Sequence, residues 1–591
     1  MAAPVVPSSF QIYNSYVEDP KWQIKFTIIW CSGVALAVAV SIPSVILGLR
    51  HGRSLKGIAG ISETGGYQSA HSDGKEPPPT TRRKGRRLVG AWNALISPTY
   101  WSPPKLGLNV GQIIVLSAYL TAVLVCIIKD APLISNPNRA GFLALAQFPV
   151  VFLFATKNSI LSLLLGPGNG YEKLNFMHRM AGRAMFLAAC IHGFLWIRNR
   201  LQYGLAILGP QKETSGVASL ALLCIIVLTS LRPVRRLFYE CFFIIHILTY
   251  VAFFVAICYH TSYASPWIFP PLAFYGADIL LRLFRYRIKA ATLTAQDTRM
   301  TMIRVHNCDD GWLAGQHVRL RVLFSNRVFE SHPLTILSAP PSHSCLSSPG
   351  FFLAARNDGD WTRALNSYTR GEQERLRIEN RSEGDSGAFV QVMLDGPYGG
   401  SSVDLGLYES VFLIAGGSGV TFTLGLLDDI VGRCVKLGRS QGERTRGIEF
   451  TWCIRSFGQI EWFAPMLIDI ATAASNSTID LHISIFITCS QACDPEAVLH
   501  IPNSVVALSR PAVHNLLRDF ISFPSSCEKE DSIDMQCDES QKLMGLGGGV
   551  AVCASGPESL TRDAQNAVAG LGLIMGMDVG GIALHTEQFT L

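Results

Sequence analysis

"HRMAGRAMFLAACIH" (178–192) and "HILTYVAFFVAICYH" (246–260) decide the fold. Each stretch is largely apolar, and each opens and closes on histidine with thirteen residues between. Fourteen residues of α-helix rise about 21 Å and turn through about 1400°, roughly 40° short of four turns. Each pair therefore lies on one face of its helix, one member toward each side of a bilayer. A single apolar span separates the two stretches, so their helices run parallel. His178 comes level with His246, and His192 with His260. Ionisable groups inside a membrane are costly and mark function. For any one of these histidines a hydrogen bond between helices is the plain structural reading. Two pairs at equal spacing favour two stacked haems, each with one imidazole per axial position, in a site built between bundle helices.

Composition supports a membrane part joined to a soluble part. The chain has 591 residues, 49% apolar and 16% charged, with mean hydropathy +0.27. Spans need about 20 apolar residues. Seven stretches qualify: 26–49, 106–128, 141–156, 175–197, 216–231, 237–260 and 266–283, the third weakened by Gln147 and Pro149. The N-terminus lacks the order of features that makes a signal peptide. With the N-terminus outside, the inner connections carry nineteen Lys/Arg against seven outside, so the positive-inside bias puts everything after Ala290 in the cytosol. The segment "PPPTTRRKGRR" (77–87) reads as a disordered basic linker, with anionic lipid a second reading. The net charge of +6 is explained by topology and carries no nucleic-acid meaning. Arg179, Arg183, Arg235 and Arg236 flank the inner pair, as haem-propionate partners or as ordinary positive-inside charges.

The tail divides again. "MTMIRVH", "QHVRLRVLF", "GFFLAAR" and "AFVQVML" (300–394) are short β-like runs broken by turn residues, the pattern of an antiparallel barrel. "ESHPLTILSAP" (330–340) and "DGPYGG" (395–400) sit among them. Then "VFLIAGGSGVTFTLGLLDDI" (411–430) runs from apolar strand through a glycine turn into a helix. That order suits phosphate, because glycines admit the backbone and a helix N-terminus offers unpaired N–H groups. Strand candidates at 447–456, 480–488 and 548–555 alternate with helical stretches such as "EWFAPMLIDIATAA", which predicts a parallel sheet. The acidic, Ser-rich stretch about 525–546 reads as a surface insertion.

On these residues the chain, over roughly 110–591, resembles the fungal ferric-chelate reductases, flavocytochromes b related to the NADPH oxidases. The resemblance implies a multi-domain membrane protein. An α-helical transmembrane bundle precedes a ferredoxin-NADP-reductase-like module, itself an antiparallel β-barrel FAD domain plus an α/β NADPH domain. The implied divisions are an extracytosolic segment (1–25), a first span and basic loop (26–105), a haem domain (106–287), an FAD barrel (288–402) and an NADPH domain (403–591). His178, His192, His246 and His260 match the family's haem ligands. Thirteen intervening residues in both pairs fits the reductases; the oxidases usually have one fewer in the second. His332, Pro333, Leu334 and Thr335 match the flavin-facing motif, with Gly359, Trp361 and Thr362 also assigned to FAD. Gly396, Pro397, Tyr398 and Gly399, then Gly416, Gly417, Ser418, Gly419, Val420 and Thr421, match NADPH motifs. Arg455 and Ser456 match the 2′-phosphate segment. Where relatives carry Cys-Gly-Pro beside the nicotinamide, this chain has Ser555, Gly556 and Pro557, with Cys553 two places early. Phe589 stands third from the end, where some relatives end on an aromatic that covers the flavin.

The implied activity is electron transfer from cytosolic NADPH through FAD and two b-type haems to extracytosolic ferric or cupric chelates, for metal uptake. NADPH gives a hydride and haem iron takes single electrons, so a flavin belongs between them. The alternatives are a superoxide-forming NADPH oxidase and, in another class, a non-catalytic seven-span receptor or scaffold. The plasma membrane is the expected location, the vacuolar membrane the alternative. A permease or multicopper oxidase is the expected kind of partner, and membrane lipid surrounds the spans. Arg198, Arg200 and Lys212 either attract anionic chelates or are ordinary loop charges. Cysteines in the spans act as small apolar residues and those in the tail are expected reduced. Haem iron is the only metal expected; Cys489 and Cys493 are a weak pair at helical spacing. Asn380 and Asn476 sit in glycosylation sequons that a cytosolic tail leaves unmodified.

Overall fold

A computed structural model describes residues 13–53, 56, 60–63, 83–325, 327–379, 387–489, 501–522 and 548–589. Asn380, Cys493, the basic stretch up to residue 82 and the acidic stretch 525–546 lie outside them. Two compact units emerge: Met1–Ile46 with Ile113–Leu281, and Leu47–Gln112 with Arg282–Leu591.

In chain order the first eleven helices are α1 (Ser15–Arg50), α2 (Arg83–Ile96), α3 (Val110–Ile128), α4 (Asn138–Ala146), α5 (Phe148–Leu153), α6 (Ile160–Leu165), α7 (Tyr171–Gln202), α8 (Gln211–Thr229), α9 (Arg232–Leu237), α10 (Tyr239–His260) and α11 (Ser265–Arg285). Among the described residues six helices are long and apolar enough to cross a membrane. The third expected span differs. It is two short helices, α4 and α5, with Gln147 between them and Pro149 in the first turn of α5. Proline removes a backbone donor and crowds the preceding turn. Gln147 is buried there and accepts from the Tyr119 hydroxyl at 3.0 Å. The exposed faces of the long helices carry Leu, Ile, Val and Phe, as a lipid-facing surface does.

The second unit holds two sheets. The first comprises β1 (Arg287–Ala295), β2 (Met300–Val305), β3 (Gln316–Val322), β4 (His332–Thr335), β5 (Phe351–Arg356) and β6 (Ala388–Gly399), with α12 (Asp360–Ile378) before β6. Its order is β4-β3-β6-β1-β2-β5, all antiparallel. The bridge Ile336↔Leu353 brings the end beyond β4 to β5 and nearly closes the barrel. Strand β3 shows why it forms: Val318, Leu320 and Val322 are buried while His317, Arg319 and Arg321 alternate on the other face, the period of a pleated strand.

The second sheet comprises β7 (Ser410–Gly416), α13 (Val420–Val435), β8 (Gly447–Ile454), α14 (Ala464–Ser475), β9 (Asp480–Ile487), β10 (Ser504–Ala507), α15 (Val513–Ser522), β11 (Val550–Gly556), α16 (Glu558–Met575) and β12 (Ile582–Gln588). Its strands are all parallel, in the order β10-β9-β8-β7-β11-β12. The central β7 and β11 are buried along nearly their whole length, as expected for strands covered on both faces. The chain winds outward from β7 one way and returns at β11 to wind the other. The crevice between the ends of β7 and β11 is thus the topological switch point, where open α/β sheets bind ligands.

The stretch expected to be a linker is partly built into this second unit. Ile61 is buried in the barrel core, Ser62 bridges Asp310, and Glu63 pairs with Lys289. Farther on, the backbone N–H of Ser102 donates to Asn566 at 2.8 Å and Ser97 lies against Gly572 of α16. These contacts use Gly and Ser for close approach and one isoleucine for burial, which a charge-based reading of the loop does not reveal.

Candidate functional site

The four histidines meet as two pairs. The His178 and His246 ring centroids are 6.4 Å apart with the planes at 71°. For His192 and His260 the values are 6.1 Å and 70°. A metal–imidazole bond is about 2 Å, and a ring centroid sits roughly 1 Å behind its ligating nitrogen, so two rings on opposite sides of one iron lie about 6 Å apart. Both pairs match that distance.

The rings are also oriented. Nδ1 of His178 bonds the Val151 carbonyl at 2.9 Å, Nδ1 of His192 the Pro137 carbonyl at 3.1 Å, and Nδ1 of His260 the Lys212 carbonyl at 2.7 Å. His246 Nδ1 lies 3.4 Å from the Ser230 hydroxyl. A metal-ligating imidazole characteristically gives its second N–H to such a group, which fixes the tautomer and leaves Nε2 for the metal. This donor set fits haem iron.

Room for the rings is written into the helices. A carbonyl at position i points along its helix at residue i+4, so a ring resting on that carbonyl meets the i+4 side chain. Gly141 stands four residues after Pro137, and Gly216 four after Lys212. A Cβ at Gly141 would lie 2.8 Å from His192 Nδ1, and one at Gly216 would lie 2.7 Å from His260 Nδ1. Sequence reasoning missed these small residues; the detectable signal was glycine inside apolar helical runs. A cavity of about 1370 Å³, its open mouth included, is lined by His192, His260, Gly141, Gly193 and Gly216.

In the barrel, β4 carries His332, Pro333, Leu334 and Thr335 antiparallel to β3. The His332 ring stacks on Trp361 at 4.3 Å and 26°. Trp361 opens α12, whose N-cap is Gly359, and the Gly359 N–H donates to the Thr362 hydroxyl at 3.0 Å. The residues expected at the flavin therefore come together. Trp361 Nε1 and Arg321 Nε are buried without a hydrogen-bond partner. Two unmatched donors in this barrel fit a ligand as rich in acceptor oxygens as FAD. Arg319 and Arg321 were not singled out from the sequence, because alternation marks a strand face without saying what the face meets.

Gly396, Pro397, Tyr398 and Gly399 end β6 in the barrel sheet, and Ser401, just beyond them, reaches Cys553 of β11 at 3.8 Å. Arg285 donates to the Pro397 carbonyl at 2.8 Å and lies over the Tyr398 ring. The Tyr398 hydroxyl donates to Asp395, which Arg282 faces at 3.4 Å. Burial, with the adjacent Asp395 carboxylate, pushes the Tyr398 phenol well above its ordinary range.

At the switch point the remaining motifs converge. Gly416, Gly417, Ser418 and Gly419 form the turn from β7 into α13, and Val420 and Thr421 begin that helix. Parallel pairing sets Ser555 beside Ala415. Gly416 then faces Pro557, where a Cβ would lie 2.8 Å from Cδ. A Cβ on Gly556 would lie 3.0 Å from the Gly416 backbone, so both positions need glycine for contact alone. Trp452 Nε1 holds the Gly417 carbonyl at 3.1 Å. Arg455 and Ser456 follow the end of β8, the neighbouring strand. The Ser555 hydroxyl is buried without a partner, which fits a nicotinamide amide at the same edge. Cys553 is buried beside Ser401 instead, and the Phe589 N–H donates to the Gly556 carbonyl at 2.9 Å, which places that aromatic at the turn. Arg356, also unforeseen, reaches to about 3.3 Å of where a Gly417 side chain would begin.

Buried charge holds this unit together. Arg433 contacts Asp404 at 2.9 Å, Glu443 at 3.1 Å and Asp429 at 3.4 Å, and Arg53 reaches Asp404 at 2.7 Å. Burial opposes ionisation of Asp429, but the hydrogen bond with His343 and the Arg433 guanidinium outweigh it and hold the carboxyl far below its usual range.

Three family models match in tandem: "Ferric reductase like transmembrane component" over 140–257, "FAD-binding domain" over 284–402 and "Ferric reductase NAD binding domain" over 408–569. The chain belongs to the ferric reductase family. It is an integral membrane protein with FAD- and NAD-binding domains. Among curated relatives, "Ferric reductase transmembrane component 3" of Saccharomyces cerevisiae is 28% identical over 58% of this chain and 46% of its own length. "Ferric reductase transmembrane component 1" of Schizosaccharomyces pombe is 27% identical over 65% and 71%. The chain thus spans about half the length of the first. A solved ferredoxin NADP+ reductase from Neisseria gonorrhoeae is 12% identical at a TM-score of 0.31, over 51% of this chain and 98% of that one. The fold assignment rests on the strand orders above, not on that likeness.

Proposed function

We propose that this chain is a transmembrane ferric-chelate reductase. It moves electrons from cytosolic NADPH through FAD and two b-type haems to Fe(III), or Cu(II), on the opposite side. The carrying observation is the pair of facing imidazole couples, each with Nδ1 engaged and Nε2 available, on a chain that also has flavin and nicotinamide sites. The names of its relatives support a metal ion as acceptor. One NADPH reduces two Fe(III) to two Fe(II) and releases NADP+ and one proton. FAD, when bound, turns a hydride into single electrons for haem iron.

The residues do the positioning. His178 with His246 and His192 with His260 would each hold one haem through their Nε2 atoms. His332 to Thr335, Gly359, Trp361 and Thr362 shape the flavin site. Gly416 to Thr421 present the turn and helix N-terminus to pyrophosphate, Arg455 and Ser456 face the 2′-phosphate, and Ser555 to Pro557 shape the nicotinamide pocket. Gly396 to Gly399 contribute from the barrel side. The Lys/Arg distribution supports an outer N-terminus, and the proposed location is the plasma membrane. The Fe(II) product suits a permease or multicopper oxidase as partner.

The test is NADPH-dependent reduction of a ferric chelate by membranes, with and without superoxide dismutase. Undiminished reduction is expected. Reduction abolished by dismutase would make oxygen the acceptor and the chain a superoxide-forming oxidase.

A further inference from the structure

We propose that the mouth of the cavity beside His192 and His260 is a docking site for an anionic metal chelate, built by Tyr16, Phe142, Tyr263 and Lys212. The proposal rests on the reductase reading above and identifies where its acceptor binds.

Four segments bring these residues to one place. Tyr16 is in the first turn of α1, Phe142 in α4, Tyr263 in the turn after α10, and Lys212 in the first turn of α8. All four line the cavity that His192 and His260 line. The Tyr16 and Tyr263 rings stack at 5.7 Å and 26°, and Phe142 stands edge-on to Tyr263 at 5.2 Å. Tyr16 and Tyr263 remain 45% and 39% exposed. Clustered aromatic rings left that open beside a cavity mark a binding surface better than a packing one.

Charge selects the ligand. Two cations line the cavity. Arg200 is ion-paired with Glu213 and donates to the Ala206 carbonyl at 2.7 Å, so its charge is used within the fold. Lys212 has no carboxylate partner among the described residues; its ammonium donates to the Tyr16 hydroxyl at 3.1 Å and lies 5.5 Å from that ring's centroid. One uncompensated ammonium over an open aromatic platform suits a chelate that presents carboxylate or phenolate oxygens. The same residue's carbonyl orients His260. A chelate held by the Lys212 side chain is therefore one residue from the outer imidazole pair, with no segment to cross.

The platform is anchored. Arg139 and Asp19, 1% and 0% exposed, pair at 2.5 Å beneath the start of α1, and Asn138 donates to Ser15 at 2.8 Å. A buried pair of this kind holds its geometry, since separating the partners leaves a bare buried charge. Tyr16 is thereby set before the acceptor arrives. The step at the site is one electron to bound Fe(III), which departs as Fe(II). No bond to the protein forms and no proton moves.

The experiment uses the full chain in membrane vesicles, with ferric citrate as the anionic acceptor and a neutral ferric trihydroxamate as control. Lys212→Gln is expected to raise KM for ferric citrate about tenfold and to flatten its salt dependence, with kcat and the trihydroxamate KM nearly unchanged. Lys212→Arg should keep the wild-type KM. Tyr263→Ala should raise KM several-fold for both acceptors. In each variant the reduced-minus-oxidised haem spectrum under NADPH should match wild type. An unchanged citrate KM in Lys212→Gln overturns the proposal. So does an equal rise for both acceptors in that variant, or loss of its haem signal, which would make Lys212 a structural residue. Wild-type vesicles without a haem signal would instead overturn the reductase reading on which the site depends.

Discussion

The two units position their functional groups by different physical means. In the helical unit the groups that matter are four imidazoles in an apolar setting. Three rest on backbone carbonyls, and for His192 and His260 a glycine four residues on gives the ring its space. In the reductase unit the glycine turns are fixed by backbone contact across the switch point, behind which Arg433 gathers three carboxylates. An apolar bundle has few polar side chains to spend on orientation, so it uses main-chain oxygens. The α/β unit adds a buried charge cluster around Arg433, whereas the bundle's buried Arg139–Asp19 pair anchors α1 and does not orient the imidazoles. The first arrangement should therefore fail on added volume and the second on lost charge.

The largest expected effect tests the first half. Gly216→Val puts atoms into the His260 ring position, and ferric-chelate reduction should fall to background with one haem absorbance lost. NADPH-dependent reduction of an artificial acceptor at the flavin should persist. Two intact haems in this variant would break the contrast.

Arg433→Leu tests the other half. Removing one partner from a buried ion cluster costs about 3–5 kcal/mol, so the flavin should be released at a markedly lower temperature, followed by its fluorescence. Near-wild-type melting would mean that charge is not what holds this unit. Ile61→Ala sharpens the boundary between units. Truncating a buried isoleucine costs about 2–5 kcal/mol, and the melting of the barrel, not haem content, should respond.

The smallest effect is a pH dependence. His482 lies 2.8 Å from Glu449, and that hydrogen bond raises the imidazole above its ordinary value. The folded state then binds the proton more tightly than the unfolded one. The stabilisation is complete below the ordinary imidazole value and disappears as pH rises through the raised value. Glu449→Gln should remove it, so wild type and variant melts converge at high pH and separate slightly at low pH. Parallel curves across the range would show that the pair contributes nothing.

Much of this was legible in the chain, for identifiable reasons. Helical period and rise fix the separation of His178 from His192 and of His246 from His260 without any tertiary knowledge. The strand–glycine–helix order at 411–430 likewise states its own chemistry. Other features depend on contacts that no local pattern encodes. Gly141 and Gly216 acquire meaning only once a ring lies against the preceding carbonyl. The broken third span reflects Pro149 beside a buried Gln147, which a hydropathy window averages away. Ile61 and Ser102 belong to the reductase unit through partners more than two hundred residues away. Gly396 to Gly399 pair with β3 as the end of a barrel strand, a placement that the motif by itself does not state.

The most direct test of the central claim is a reduced-minus-oxidised spectrum of membranes, potentiometrically titrated, for wild type and four single His→Ala variants. Two low-spin b-type haems are expected in wild type. His192→Ala and His260→Ala should each lose the same one, and His178→Ala and His246→Ala the other. A full haem complement in these variants, or losses that pair His178 with His192, would contradict the account.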